Sequence, residues 1–138
     1  MKPKRVLLVD DHDVFLRTAA RLVQSIPDLE VVGQASRGDR AIELIATLHP
    51  DLVLMDLSMP GMSGLAATRR IKRQHDGPKV IIVTLHNERE YRDLARDAGA
   101  DGFISKDDLV VELPTLVATL FAPADCSSKS ILDSDSAR

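Results

Sequence analysis

Four residues stand at the ends of four apolar runs: Asp10, Asp56, Thr84 and Lys106. The runs are Val6-Leu7-Leu8-Val9, Leu52-Val53-Leu54-Met55, Val80-Ile81-Ile82-Val83 and Gly102-Phe103-Ile104-Ser105. If they are parallel neighbouring strands, the four side chains emerge on one edge of one sheet. With Asp11 beside Asp10, that edge offers three carboxylates, a hydroxyl and an ammonium. Carboxylates gathered so closely repel, by about 4 kcal/mol per pair at about 4 Å and an effective dielectric near 20. A Mg²⁺ ion relieves that repulsion through oxygen ligands and bridges to phosphate oxygens. A carboxylate can accept a phosphoryl group as an acyl phosphate. A lysine neutralises phosphoryl charge as a point charge, and a threonine hydroxyl donates a hydrogen bond to a phosphoryl oxygen. Phosphoryl transfer asks mainly for this kind of positioning and charge stabilisation.

Taken singly, each residue has an ordinary explanation. Acids after a strand often cap helices, and Asp13 reads as such a cap. Asp56 suits a turn, and Lys106 a solvated surface. Their joint placement at four strand ends is what favours a shared site. Other catalytic motifs are missing: there is no GxxxxGK[ST] phosphate loop, no HExxH and no GxSxG. The histidines His12, His49, His75 and His86 are scattered and read as surface residues, although His86 follows Thr84 closely enough to line the site.

The chain has 138 residues, which predicts one domain. Aromatic residues make up 3%, so the core must be aliphatic. The single cysteine, Cys126, excludes an intramolecular disulfide and a cysteine metal cage. A net charge of −3 argues against a chain dedicated to nucleic acid. The basic stretch Arg69-Arg70-Ile71-Lys72-Arg73 reads as a solvated helix face. No apolar run approaches the roughly 18 residues that would span a bilayer. The apolar run after the basic start is too short for a signal peptide. The expectation is a cytoplasmic protein that contacts neither membrane nor, by this chain alone, nucleic acid.

Strand and helix patterns alternate along the chain. Strands are predicted at 5–10, 29–35, 51–56, 79–84 and 101–105. The first helix covers 13–25. Ser36 and Asp39 have the spacing of a capping box for the second, whose Ala41, Leu44, Ile45 and Leu48 repeat at helical period until Pro50. The loop from Ser58 to Gly64 opens a third helix that runs to about 74. Asn87 and Glu90 have cap spacing for the fourth, and Gly99 suits its C-terminal end. Pro114 is expected in the first turn of the last helix, with 107–112 a loop or short separate turn and the end near Phe121. The serine-rich stretch 123–138 reads as a flexible tail, leaving 1–122 as the folded domain. Five strands separated by helices predict an α/β fold, a doubly wound parallel sheet covered on both faces. Such sheets bind ligands at the carboxyl ends of their strands, near the switch in strand order.

These residues resemble a known family. Val9-Asp10-Asp11-His12, Leu54-Met55-Asp56-Leu57-Ser58-Met59-Pro60-Gly61-Met62-Ser63-Gly64, Val83-Thr84 and Phe103-Ile104-Ser105-Lys106 closely resemble the response-regulator receiver domain of bacterial two-component signalling, over roughly residues 4–122. The resemblance implies a flavodoxin-like (βα)5 fold with strand order 2-1-3-4-5. It implies phosphorylation at Asp56 and Mg²⁺ held by Asp10, Asp11, Asp56 and the Ser58 backbone carbonyl. Thr84 and Lys106 would bind phosphoryl oxygens, and Thr84 and Phe103 would form the switch.

A receiver of this kind is a phosphoacceptor that assists its own phosphorylation and dephosphorylation, not an enzyme with a separate substrate. The implied partners are a sensor histidine kinase or phosphotransfer protein and a downstream protein target. A phosphorylation-dependent homodimer through helix 4, strand 5 and helix 5 is also implied. The wording around Met59 to Leu65, and Lys106-Asp107, are most similar to the NarL/FixJ subfamily. That type usually continues into a helix-turn-helix domain, and none follows in this sequence. Many receivers have Lys-Pro where this chain has Lys106-Asp107, which leaves open whether that peptide is cis. Leu85 is bulkier than the small residue common after the threonine and is expected to restrict water. The apolar Leu109–Phe121 segment is divided between core and a dimer or partner surface.

Two other readings compete. Asp11-His12-Asp13-Val14-Phe15 is a near miss to the DxDx[TV] motif of Mg²⁺-dependent haloacid-dehalogenase-type phosphatases. The chain would alternatively be the receiver fragment of a DNA-binding transcriptional regulator.

Overall fold

The computed structural model describes residues 3–57, 59, 61–74, 77–85 and 89–122 of the chain. Five strands, β1 (Lys4–Val9), β2 (Leu29–Ala35), β3 (Leu52–Asp56), β4 (Lys79–Thr84) and β5 (Gly102–Ser105), alternate with five α-helices. The helices are α1 (Asp13–Ser25), α2 (Gly38–Leu48), α3 (Gly64–Lys72), α4 (Arg89–Asp97) and α5 (Leu109–Leu120). The strands form one parallel sheet in the order β2-β1-β3-β4-β5, the flavodoxin-like arrangement expected from the sequence. The order reverses between β1 and β3, and a ligand crevice belongs at that switch.

The continuous apolar runs follow from burial on both faces, because successive strand residues point to opposite sides. On one side Val6, Leu8, Leu54 and Ile81 pack against Leu16 and Val23 of α1 and Leu113 of α5. On the other, Leu7, Val9, Met55 and Ile82 meet Ala41 and Ile45 of α2, Ile71 of α3 and Ala95 of α4. The core is aliphatic, as the scarcity of aromatic residues required.

Helix α3 must begin directly over the end of β3. Ser63 caps it, its Oγ accepting the Ala66 N–H at 3.2 Å. The Gly64 N–H donates to the Leu57 carbonyl at 2.9 Å. A Cβ at Gly64 would overlap the Asp56 carbonyl oxygen, so only glycine permits this approach.

Several local expectations are corrected. Ser36 does not cap α2. The N-cap is Arg37, without a side-chain cap bond, and Asp39 is engaged by the Arg37 guanidinium at 3.0 Å. Asp13 is the first residue of α1 and not its cap; that position is His12. Pro114 sits well inside α5, which starts at Leu109 after a 3₁₀ turn, Lys106–Asp108. Burial of Leu109, Leu113 and Val117 at helical spacing fixes the early start. The carbonyl that Pro114 cannot bond belongs to Val110, a residue on the exposed side of the helix. No described peptide bond is cis, so Lys106–Asp107 is trans. Asn87, Ser58 and His86 lie outside the described residues, as does the segment 123–138.

Candidate functional site

Strand register positions the site. Val9 of β1 pairs with Met55 of β3, so the next residues along, Asp10 and Asp56, come side by side at the carboxyl edge. Asp56 pairs with Val83 of β4, and Thr84 follows. Thr84 in turn pairs with Ser105 of β5, and Lys106 is the next residue. The Asp10 N–H donates to the Ala35 carbonyl at 3.0 Å, which ties the turn after β1 to the end of β2.

The four residues singled out at the strand ends therefore share one edge. Asp10, Asp56 and Thr84 are 1%, 4% and 1% exposed. Lys106 reaches across the gap: its Nζ lies 2.7 Å from Asp10 Oδ2 and 3.6 Å from Asp56 Oδ1. The same ammonium sits 4.3 Å from the centroid of the Phe15 ring. Phe103 is half-buried, and the Arg92 guanidinium of α4 lies 4.7 Å from the centroid of its ring.

The charges do not balance. Burial, and then the negative charge of Asp10, push the Asp56 carboxyl up to about 6, with Lys106 opposing. The residue that sequence reasoning missed is His12. Its backbone N–H donates to Asp10 Oδ1 at 2.9 Å, and its Nδ1 lies 3.0 Å from the same oxygen and 3.1 Å from Asp11 Oδ1. The hydrogen bond to Asp10, and then the charges of Asp11 and Asp10, hold the His12 imidazole above its ordinary value. Its direct attachment to the Asp10-Asp11 pair was the available signal. The expectation of a surface residue holds for its exposed ring but not for its contacts.

Asp10, Asp11, His12 and Asp56 each place a ligand atom within 4.8 Å of the others, a spacing able to hold a metal ion. The donor set fits a hard cation: it is rich in carboxylate oxygens, and the buried Asp11 Oδ1 has the His12 ring nitrogen at 3.1 Å but no hydrogen bond of good geometry among the described residues. Asp13, which a DxDx[TV] phosphatase site would need, is an exposed helix residue outside that group. Beside the site a cavity of about 450 Å³ runs between α1 and the start of α5, lined by His12, Phe15, Leu85, Lys106 and Val110 among others.

The response regulator receiver domain family matches residues 6–118. The chain belongs to that family. It is a receiver domain of two-component systems. The receiver is 40% identical over 118 residues to the response regulator GacA of Pseudomonas viridiflava, covering 86% of this chain and 55% of that protein. It thus spans about half the length of the curated relatives it matches.

Among solved structures, the two-component response regulator of the LuxR family from an Aurantimonas species superposes with a TM-score of 0.81 at 32% identity, covering 86% of this chain and 85% of that one. The isolated receiver domain of RcsB from Salmonella enterica serovar Typhimurium, determined with the phosphomimetic BeF₃⁻, gives 0.78 at 25% identity, with 86% and 88% covered. The signal receiver domain of the putative response regulator NarL from Mycobacterium tuberculosis gives a TM-score of 0.79 at 31% identity, with 94% of this chain and 99% of that one covered. Among the described residues no helix of the receiver is long and apolar enough to cross a membrane.

Proposed function

We propose that Asp56 is the phosphoacceptor of a signalling switch. The observation that carries this reading is the Lys106 ammonium, held within 2.7 Å of Asp10 and 3.6 Å of Asp56 at a buried sheet edge with surplus negative charge. An Asp56 carboxylate oxygen attacks the phosphorus of a phosphohistidine on a sensor kinase or phosphotransfer protein, or of a small phosphodonor. The new O–P bond makes an acyl phosphate; from phosphohistidine the P–N bond breaks with its electron pair leaving on the imidazole, and from acetyl phosphate the P–O bond breaks with its pair leaving on acetate. Lys106 neutralises one phosphoryl oxygen and the Thr84 hydroxyl donates to another. Asp10, Asp11 and Asp56, with the Ser58 backbone carbonyl, would hold Mg²⁺, which when bound supplies the positive charge that three carboxylates and one lysine lack. The site is a phosphoacceptor that assists its own turnover.

The output follows from the same geometry. Thr84 drawn toward the phosphoryl group leaves space for Phe103 to turn inward, which alters the face of α4, β5 and α5. Val110 and Val111 on α5 are 67% and 77% exposed, so part of that apolar helix is free to meet a downstream protein or a second copy of the chain. The protein acts in the cytoplasm, where its kinase presents the phosphohistidine.

The test is labelling by acetyl phosphate with Mg²⁺. Wild type should take up one phosphoryl group that is lost in alkali, and Asp56→Asn should take up none. Undiminished labelling of Asp56→Asn would place the acceptor elsewhere.

A further inference from the structure

The Lys106 ammonium has three donors and no acceptor. It pairs with Asp10 at 2.7 Å and lies 3.6 Å from Asp56, and the face of Phe15 lies against it, with the nitrogen 4.3 Å from the ring centroid. We propose that Phe15 is a positioning residue for Lys106: its ring face holds the ammonium over the gap between Asp10 and Asp56, so that an incoming phosphoryl group meets a lysine already in place. The inference rests on the reading of Asp56 as acceptor.

The physical need is clear from the lysine itself. An ammonium is a compact, strongly hydrated charge on a flexible four-carbon stem, and it does not hold one orientation unaided. Carboxylates alone would pull it toward the deeper, more closely paired Asp10. The ring offers a second attraction without adding negative charge to a site that already has too much. It also takes the place of water, since the Lys106 side chain is only 9% exposed. Phe15 is itself held, because it packs half-buried against the core layer that contains Leu16 and Leu109. Leucine at position 15 would keep that aliphatic packing but lose the π face, whereas tyrosine would keep both. These two substitutions separate packing from the cation–π contact.

The experiment compares wild type, Phe15→Leu, Phe15→Tyr, Lys106→Ala and the double variant Phe15→Leu/Lys106→Ala. Each is checked for folding by thermal unfolding, then assayed for the rate of labelling by acetyl phosphate and for beryllofluoride affinity with saturating Mg²⁺. Phe15→Leu should slow labelling and weaken beryllofluoride binding by about tenfold, the scale of a largely desolvated cation–π contact. Phe15→Tyr should restore both to within about twofold of wild type. In the Lys106→Ala background, Phe15→Leu should have no further effect on labelling. Wild-type behaviour of Phe15→Leu, equal losses in the leucine and tyrosine variants, or an undiminished effect without Lys106 would each overturn the role of Phe15 while leaving Asp56 as acceptor. A wild-type protein that takes no label and binds no beryllofluoride would instead sink the reading of Asp56 and this proposal with it.

Discussion

Aspartates flank both edges of the sheet, but the two edges use them in opposite ways. At the amino edge, Asp51 Oδ2 accepts the Arg5 N–H at 2.9 Å. Asp101 Oδ2 accepts the Val80 N–H at 2.8 Å and the Lys72 ammonium at 2.9 Å. Each of these carboxylates completes the backbone bonding where a strand begins, and the charge of Asp101 is answered by Lys72. At the carboxyl edge, Asp10, Asp11 and Asp56 share one lysine and an exposed imidazole. The same residue type on the same sheet is structural where its bonds are filled by the fold, and chemical where they are left over. A buried polar group without a full set of partners costs free energy, and the proposed Mg²⁺ would answer that excess at the carboxyl edge.

That contrast makes predictions of opposite sign. The largest is at the amino edge. Asp101→Ala strands the Val80 N–H and takes the carboxylate from the Lys72 ammonium, leaving it the Pro78 carbonyl at 3.3 Å, and should destabilise the fold by about 2–3 kcal/mol in denaturant unfolding. A loss under about 0.5 kcal/mol would mean that the amino edge is not held by its carboxylates.

The next lies at the other edge. Asp56→Asn removes a charge from the crowded site and should stabilise the metal-free protein by about 1–2 kcal/mol at pH 7. The sign follows from linkage. The Asp56 carboxyl, pushed up to about 6 in the fold, binds its proton more tightly there than in the unfolded chain. Its contribution to stability therefore falls as the pH rises from about 4 to about 6 and stays at its least favourable above that. Thermal unfolding without divalent metal should show wild type gaining on Asp56→Asn as the pH drops from 7 to 5. Parallel curves would put both edges on the same footing. The smallest effect calibrates the others: Arg40→Ala removes an exposed partner of Glu43 and should change stability by no more than about 0.5 kcal/mol.

Much of this arrangement was legible in the sequence, and the parts that were not have identifiable causes. The strands were readable because burial on both faces makes them continuously apolar, a local signal. The residues at their ends were readable because each directly follows such a run. The start of α5 was not, because Pro114 argued locally against a helix that the burial of Leu109, Leu113 and Val117 imposes from outside. The cap of α2 was misread because Arg37 competes for Asp39, which capping-box spacing does not register. In the sequence Phe15 stands out only as the last residue of the near miss to DxDx[TV]. Its place against Lys106 arises from the packing of α1 beside the end of β5, which no window of sequence contains.

The glycine at position 64 has a further consequence. It carries no reactive atom and binds nothing, yet any side chain there would collide with the carbonyl of Asp56, the proposed acceptor. In a genetic screen for signalling-dead alleles, substitutions at Gly64 should therefore be recovered alongside those at Asp56 itself. Such alleles would look like chemical knockouts in the phenotype while being lesions of space alone, and a phosphomimetic change at Asp56 would not rescue them.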